Sequence, residues 1–286
     1  MRIRKTPLTA RRFCAALAGA ALVSAAAPSA AKAGDVSLKA TYAISIAGLT
    51  VGRVDVKSSF DGNSYDAVIK GSTSGPSRIV SDASASMSGS GKFVGSRVLP
   101  ASFQMVTLEG GFSTHVSIAM RGGAVTTVTA LPPLIQADDR VPVTPQHKKD
   151  VVDPLGAFIV PLDRQGVPSG HRACARTVRV FDGWTRYDVP LYYKETKAID
   201  GDATSYSGRI IVCGARFVPV AGHRSSRKAV QDMANNKRLE VWLAPVGGAP
   251  ILVPYRILIG TDMCDLIIMA TRFVTDGAPS RHAALE

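Results

Sequence analysis

Residues 172–224, RACARTVRVFDGWTRYDVPLYYKETKAIDGDATSYSGRIIVCGARFVPVAGHR, hold a hairpin and two cysteines around which the rest of the chain can be ordered. Runs 178–181 and 187–193 are rich in β-branched and aromatic side chains, the composition of a pleated, half-buried surface. Between them, Asp182-Gly183 supplies the φ > 0 positions that a tight hairpin turn requires, so the two runs read as one antiparallel pair. Asp200-Gly201-Asp202 marks a second turn, and 205–212 reads as a third strand ending at Cys213. Cys174 precedes the first of these strands, so a meander can bring the two sulfurs together. A bridge closing a loop of this length stabilises by roughly 3–4 kcal/mol in the chain-entropy model. A metal site would need a closer pair of ligands and further Cys or His nearby, which neither cysteine has. A Cys174–Cys213 disulfide is the expectation.

The compartment suits that bridge. Arg2, Arg4, Lys5, Arg11 and Arg12 form a basic start, 13–23 is short and apolar, and Ala31-Lys32-Ala33 offers small residues for cleavage. This is the pattern of a secretory signal peptide over residues 1–33. No Cys follows the cleavage point, which argues against a lipoprotein. An oxidising destination follows, most simply a bacterial periplasm. The segment carries six basic and no acidic residues, so its removal lowers the net charge from +12 to +6. Much of the basicity is therefore targeting sequence, and the remainder favours an anionic partner or membrane surface only weakly. Of the four cysteines, Cys14 leaves with the signal, and Cys264 reads as a buried free thiol in the apolar run 257–270. No stretch beyond the signal is long and apolar enough to be a transmembrane segment.

The sequence predicts strands at 36–46, 53–60 and 65–70, with a hairpin turn at Asp61-Gly62-Asn63. Region 79–91, rich in Ser and Ala, fits a strand or a short helix. Strands follow at 101–108, 114–119 and 124–130. Prolines 132, 133, 142 and 145 forbid a central strand in the next connection, which is a linker between two sheets or a loop over one, so a division near 131–150 stays open. Asp153 followed by Pro154 matches an N-cap and first helical position, and predicts a short helix near 153–160. Beyond Cys213 come a strand at 215–220, a polar stretch with one helical turn at 222–236, a strand at 239–243 and a hairpin of 249–259 with 265–275. The expected fold is mainly β: a strongly curved antiparallel sheet or open β-barrel with that one short helix. Residues 34–276 are expected as a single β-rich domain and 277–286 as a frayed tail.

This order of features resembles the domain-of-unknown-function family 3108, exported proteins of Gram-negative bacteria. The residues that carry the likeness are Tyr42 with Gly48-Leu49-Thr50-Val51-Gly52, Leu99-Pro100 with Phe103, and Asp153-Pro154-Leu155. Val180-Phe181-Asp182-Gly183, Arg186-Tyr187-Asp188, the two cysteines and Val241-Trp242-Leu243 complete it. The resemblance implies a periplasmic β-rich fold akin to curved sheets that carry lipids or lipoproteins, and it brings no catalytic residue.

Chemistry-bearing motifs are sparse. No Gly-x-Ser-x-Gly elbow occurs, so His223 has no motif-defined nucleophile to serve. His115, His147 and His171 lack ligand partners at metal spacing, and Asp138-Asp139 and Asp200-Gly-Asp202 lack the alternating ligands of a calcium loop. No metal, cofactor or nucleic-acid partner is expected. Trp184 and Arg186, at a hairpin tip, and the basic group around His223 and Arg224 are the candidate contact points for a ligand or partner. The competing reading has Trp184 packing on its own hairpin and Arg186 pairing with Asp188. The leading functional reading is a non-enzymatic periplasmic protein that binds an apolar or amphipathic ligand, a lipid or other envelope component, in its concave sheet. The alternatives are an envelope structural or assembly factor acting through surface contacts and, last, a hydrolase using His223.

Overall fold

Alternating apolar and polar residues build seven consecutive strands: β1 (Val36–Ile46), β2 (Leu49–Asp61), β3 (Ser64–Thr73), β4 (Ala83–Val94), β5 (Arg97–Glu109), β6 (Phe112–Arg121) and β7 (Ala124–Leu131). The computed structural model describes residues 35–75, 82–162, 170–202, 205–261 and 264–276. The signal peptide expected at 1–33 and the tail expected at 277–286 lie outside those residues. Each strand pairs antiparallel with the next, with the β2–β3 turn at the expected Asp61-Gly62-Asn63. One face of this meander buries Leu38, Tyr65, Phe103 and Ile118. The other exposes Lys39, Lys57, Asp66 and Ser102.

Within the Ser- and Ala-rich region, residues 79–81 lie outside the described residues and 83–91 are in strand β4 (Ala83–Val94), where one small residue has a cause across the sheet. A Cβ at Gly91 would sit 2.7 Å from a ring carbon of Tyr65 and 2.7 Å from the Leu99 carbonyl, so only glycine lets Tyr65 lie over it. The Tyr65 ring then stacks on Phe93, with centroids 5.4 Å apart.

The proline-rich connection carries no strand, as expected. Val152 bridges in parallel to Val180: its N–H donates to Arg179 O at 2.8 Å, and its carbonyl accepts from Phe181 N at 2.9 Å. Asp153 Oδ1 accepts N–H bonds from Leu155 (2.7 Å) and Gly156 (2.9 Å), although the N-cap of the turn that follows is Leu155, and Pro154 precedes that turn instead of opening it. The helix expected near 153–160 is shorter than its cap promised: one 3-10 turn at Gly156–Phe158. The chain is then captured by a neighbouring strand as β8 (Val160–Pro161), whose pairing ends the helical path.

Among the described residues the two α-helices lie elsewhere, α1 at Gly170–Cys174 and α2 at Lys228–Asn235. The second run of strands comprises β9 (Thr177–Phe181), β10 (Arg186–Ile199), β11 (Gly208–Ala215), β12 (Val218–Ala221), β13 (Leu239–Pro245), β14 (Ile251–Gly260) and β15 (Asp265–Asp276). The β9–β10 hairpin turns at Asp182-Gly183 as predicted, with Asp182 Oδ1 accepting from the N–H groups of Trp184 and Thr185 at 2.8 and 2.6 Å. The expected 215–220 strand breaks at Arg216-Phe217, so β11 and β12 succeed each other along the same edge of β10. β15 returns to pair with β1, which joins both runs into one antiparallel sheet ordered β12-β10-β11-β13-β14-β15-β1-β2-β3-β4-β5-β6-β7, with β8 on β14 and β9 on β10. The sheet does not close. The connection at 131–150 therefore links two runs of strands in the same sheet.

Two apolar clusters hold this arrangement. The larger joins Leu38, Phe60, Tyr65, Phe103 and Ile118 of the first run to Phe181, Ile210, Val253 and Tyr255 of the second. The smaller lies on the opposite face of the second run: Val160, Ala173, Cys174, Ile211, Cys213, Leu243 and Leu252. Cys174 and Cys213 form the expected disulfide, with Cα atoms 5.6 Å apart, pinning α1 across β11. Cys264 is a free thiol at the β14–β15 turn, half-buried, with its N–H donating to Thr261 Oγ1 at 3.0 Å. Its turn position exposes it more than the buried-thiol expectation.

Candidate functional site

Strand register decides which side chains share the face occupied by the smaller cluster. Val178 and Val180 of β9 oppose Val189 and Tyr187 of β10. Leu191 opposes Ala215, which opposes Leu239 of β13; Val241 opposes Ile257, and Leu239 opposes Ile259 of β14. All of these lie on one face, and together they line a cleft of about 330 Å³ beside the disulfide. Pro154, Ala157 and Phe158 form one wall, Phe217 and Met233 of α2 another. Tyr187 and Phe217 pack with ring centroids 5.3 Å apart, and burial pushes the Tyr187 hydroxyl pKa upward. Apart from Arg216 and Glu240, the lining is apolar and aromatic. Its volume sits at the low end of the roughly 300–1,000 Å³ range of small-molecule sites. Many of its side chains are only half-buried, so apolar surface stands uncovered there.

The concave interior, the ligand site expected from the sequence, is instead packed with large side chains: Tyr65, Phe103, Phe181, Leu38 and Ile118 are all fully buried in it. The apolar opening lies on the other face of the sheet.

Asp153, which positions the Phe158 wall, is completely buried. Its Oδ2 and the Tyr65 hydroxyl have no hydrogen-bond partner among the described residues, and each lies within 3.4 Å of where a Gly156 Cβ would stand. Burial pushes the Asp153 carboxyl up to about 6, against the opposing pull of the Gly156 and Leu155 N–H groups.

The contact residues singled out from sequence, Trp184, Arg186, His223 and Arg224, make internal contacts and do not line the apolar cleft, whereas Pro154, named for the helix cap, does. Arg186 is not displayed at a tip: it is 6 % exposed and pairs with Asp188 while donating to Tyr187 O at 2.6 Å. Trp184 reaches past its own hairpin, its indole Nε1 donating to Pro132 O at 3.0 Å. Arg224 pairs with Asp139 at 2.8 Å, and the Ser226 and Arg224 bonds hold that carboxyl well below the usual range. His223 accepts the Val141 N–H through its carbonyl, while its buried Nδ1 has no hydrogen-bond partner among the described residues, so no carboxylate orients the ring. These contacts fasten the 131–145 connection over the end of the sheet. The cleft's own residues had a signal in strands apolar on both alternating sets, as in Ile257-Leu258-Ile259.

Among the described residues, no helix is long and apolar enough to cross a membrane. A family model described as "Protein of unknown function (DUF3108)" matches residues 41–267. No curated protein matches the chain. Among solved structures it is similar to a beta-barrel-like protein of domain of unknown function DUF1849 from Brucella abortus, at 9% sequence identity and a TM-score of 0.48, over 84% of this chain and 98% of that one.

Proposed function

The chain belongs to the DUF3108 family of proteins of unknown function, and we propose that it is an exported, periplasmic protein that holds an apolar or amphipathic envelope ligand in the cleft of its second run of strands. The observation that carries this reading is the 330 Å³ apolar cleft itself. Its side chains converge from six strands, β8 to β11, β13 and β14, where a protein without a ligand would gain by covering them. Burying an acyl chain or similar group there recovers about 25 cal/mol for each Å² removed from water. The disulfide, which suits an oxidising compartment, stiffens the cleft's floor at β11.

Titration with N-phenyl-1-naphthylamine, an uncharged apolar dye that brightens when desolvated, tests the proposal. Saturable binding to the full chain, competed by fatty acids and lost in Val178→Asp, is expected. A dye that does not bind, or that binds Val178→Asp equally well, contradicts it.

A further inference from the structure

A second cleft, of about 690 Å³, lies on the other side of the 154–160 segment. Four arginines line it: Arg97 of β5, Arg172 of α1, Arg176 just before β9 and Arg179 within β9. Asp150 is the one acid among its described lining residues, 3.5 Å from Arg97. Three cations from residues 172–179 and one from β5 thus line one concavity that has a single carboxylate among its described lining residues. A cleft lined by guanidinium groups draws anions towards it. Arg176 is held in place by its Nη2 bond to Pro161 O at 3.4 Å. Guanidinium groups stay charged at every physiological pH, and their planar forks match phosphate and carboxylate oxygens in pairs.

The two clefts are neighbours. Val178 lines both, and the 154–160 segment turns Gly156 and Ile159 towards the arginines but Ala157 and Phe158 towards the apolar side. A molecule with an apolar tail and an anionic head can thus engage both across Val178. We infer that Arg97, Arg172, Arg176 and Arg179 receive a phosphate or carboxylate group, the head of the amphipathic ligand. The tail half of this inference rests on the apolar-cleft proposal, whereas the anion site stands on the arginines.

Calorimetric titration of the full chain with dodecyl phosphate, with the uncharged monododecanoyl glycerol and with inorganic phosphate separates these possibilities. The wild type is expected to bind dodecyl phosphate about tenfold or more tightly than the uncharged amphiphile, as charge-assisted hydrogen bonds warrant. Arg172→Gln combined with Arg179→Gln, both at exposed positions, should erase that preference and leave binding of the uncharged amphiphile unchanged. Arg179→Gln alone, expected to reduce the preference, serves if the double variant fails to fold. Inorganic phosphate that binds the wild type but not the variant, with neither amphiphile binding, upholds the arginines as a free-anion site and rejects the apolar-cleft proposal. A preference for dodecyl phosphate that survives in the variant overturns the inference. So does equal binding of the two amphiphiles without phosphate binding, or no binding of any of the three.

Discussion

The first seven strands and the last seven share one sheet, but they solve different burial problems. Strands β1 to β7 follow one another in chain order with one apolar face and one charged face, and a single core satisfies them. In the second run, strands such as β11 and β14 are apolar on both faces. One faces the common core; the other recruits α1, the disulfide, β8 and the capped turn at 154–158, and still leaves a cleft uncovered. A polar outer face can end at water, whereas a second apolar face demands a partner. What the protein's own elements leave bare is where a ligand belongs.

The sharpest way to break this contrast is to damage each run separately. Phe103→Ala, in the fully buried interior of the first run, should cost about 3–5 kcal/mol in denaturant unfolding. Dye binding per folded molecule should nevertheless persist. If binding falls in parallel, the two runs are not functionally separable. Replacing both Cys174 and Cys213 by serine should cost about 2–4 kcal/mol, and hydrogen exchange should show the loosening centred on α1 and β11. Loosening centred on β2 to β6 would contradict the assignment of the clasp to the second face.

Asp153 joins the two runs and gives a pH signature. Its folded pKa lies above the ordinary 3.8, so its contribution to stability is fully present below about pH 4 and is lost as the pH rises through about 6. A shift of that size corresponds to about 3 kcal/mol at most. Asp153→Asn keeps an acceptor for Leu155 and Gly156 but removes the charge. It should therefore be more stable than the wild type at pH 7.5, with the advantage vanishing by about pH 4. An advantage that is the same at both pH values would refute the buried-charge account. The smallest effect is expected from Phe158→Ala, whose side chain is 43% exposed at the cleft wall. It should leave stability nearly unchanged while weakening dye binding about fivefold.

Much of the fold was legible because its signals are local. Asp61-Gly62-Asn63 and Asp182-Gly183 carry their turn geometry in their own residues, and the strand alternation beside them sets the faces. The disulfide followed from the same hairpins. Strand β4 was ambiguous because its small residues give little alternation to read, and Gly91 answers to the Tyr65 ring across the sheet, which no local pattern reveals. The turn at Asp153 was readable; the early end of the helix expected after it was not, since pairing with β14 decides it. The helical turn expected within 222–236 is helix α2, which buries no residue although Met233 reaches the cleft wall. The cleft depends on the register of β9, β10, β11, β13 and β14 together. Trp184 and Arg186 looked exposed because they follow a turn, whereas that turn packs against Val116 and Ala130 of the first run.

Hydrogen exchange of the full chain with and without saturating dodecyl phosphate tests the central claim most directly. The account predicts slowed exchange in 154–160, β9, β10, β11 and β13, with β2 to β6 unchanged. Protection spread over the first run, or none anywhere at saturation, would contradict it.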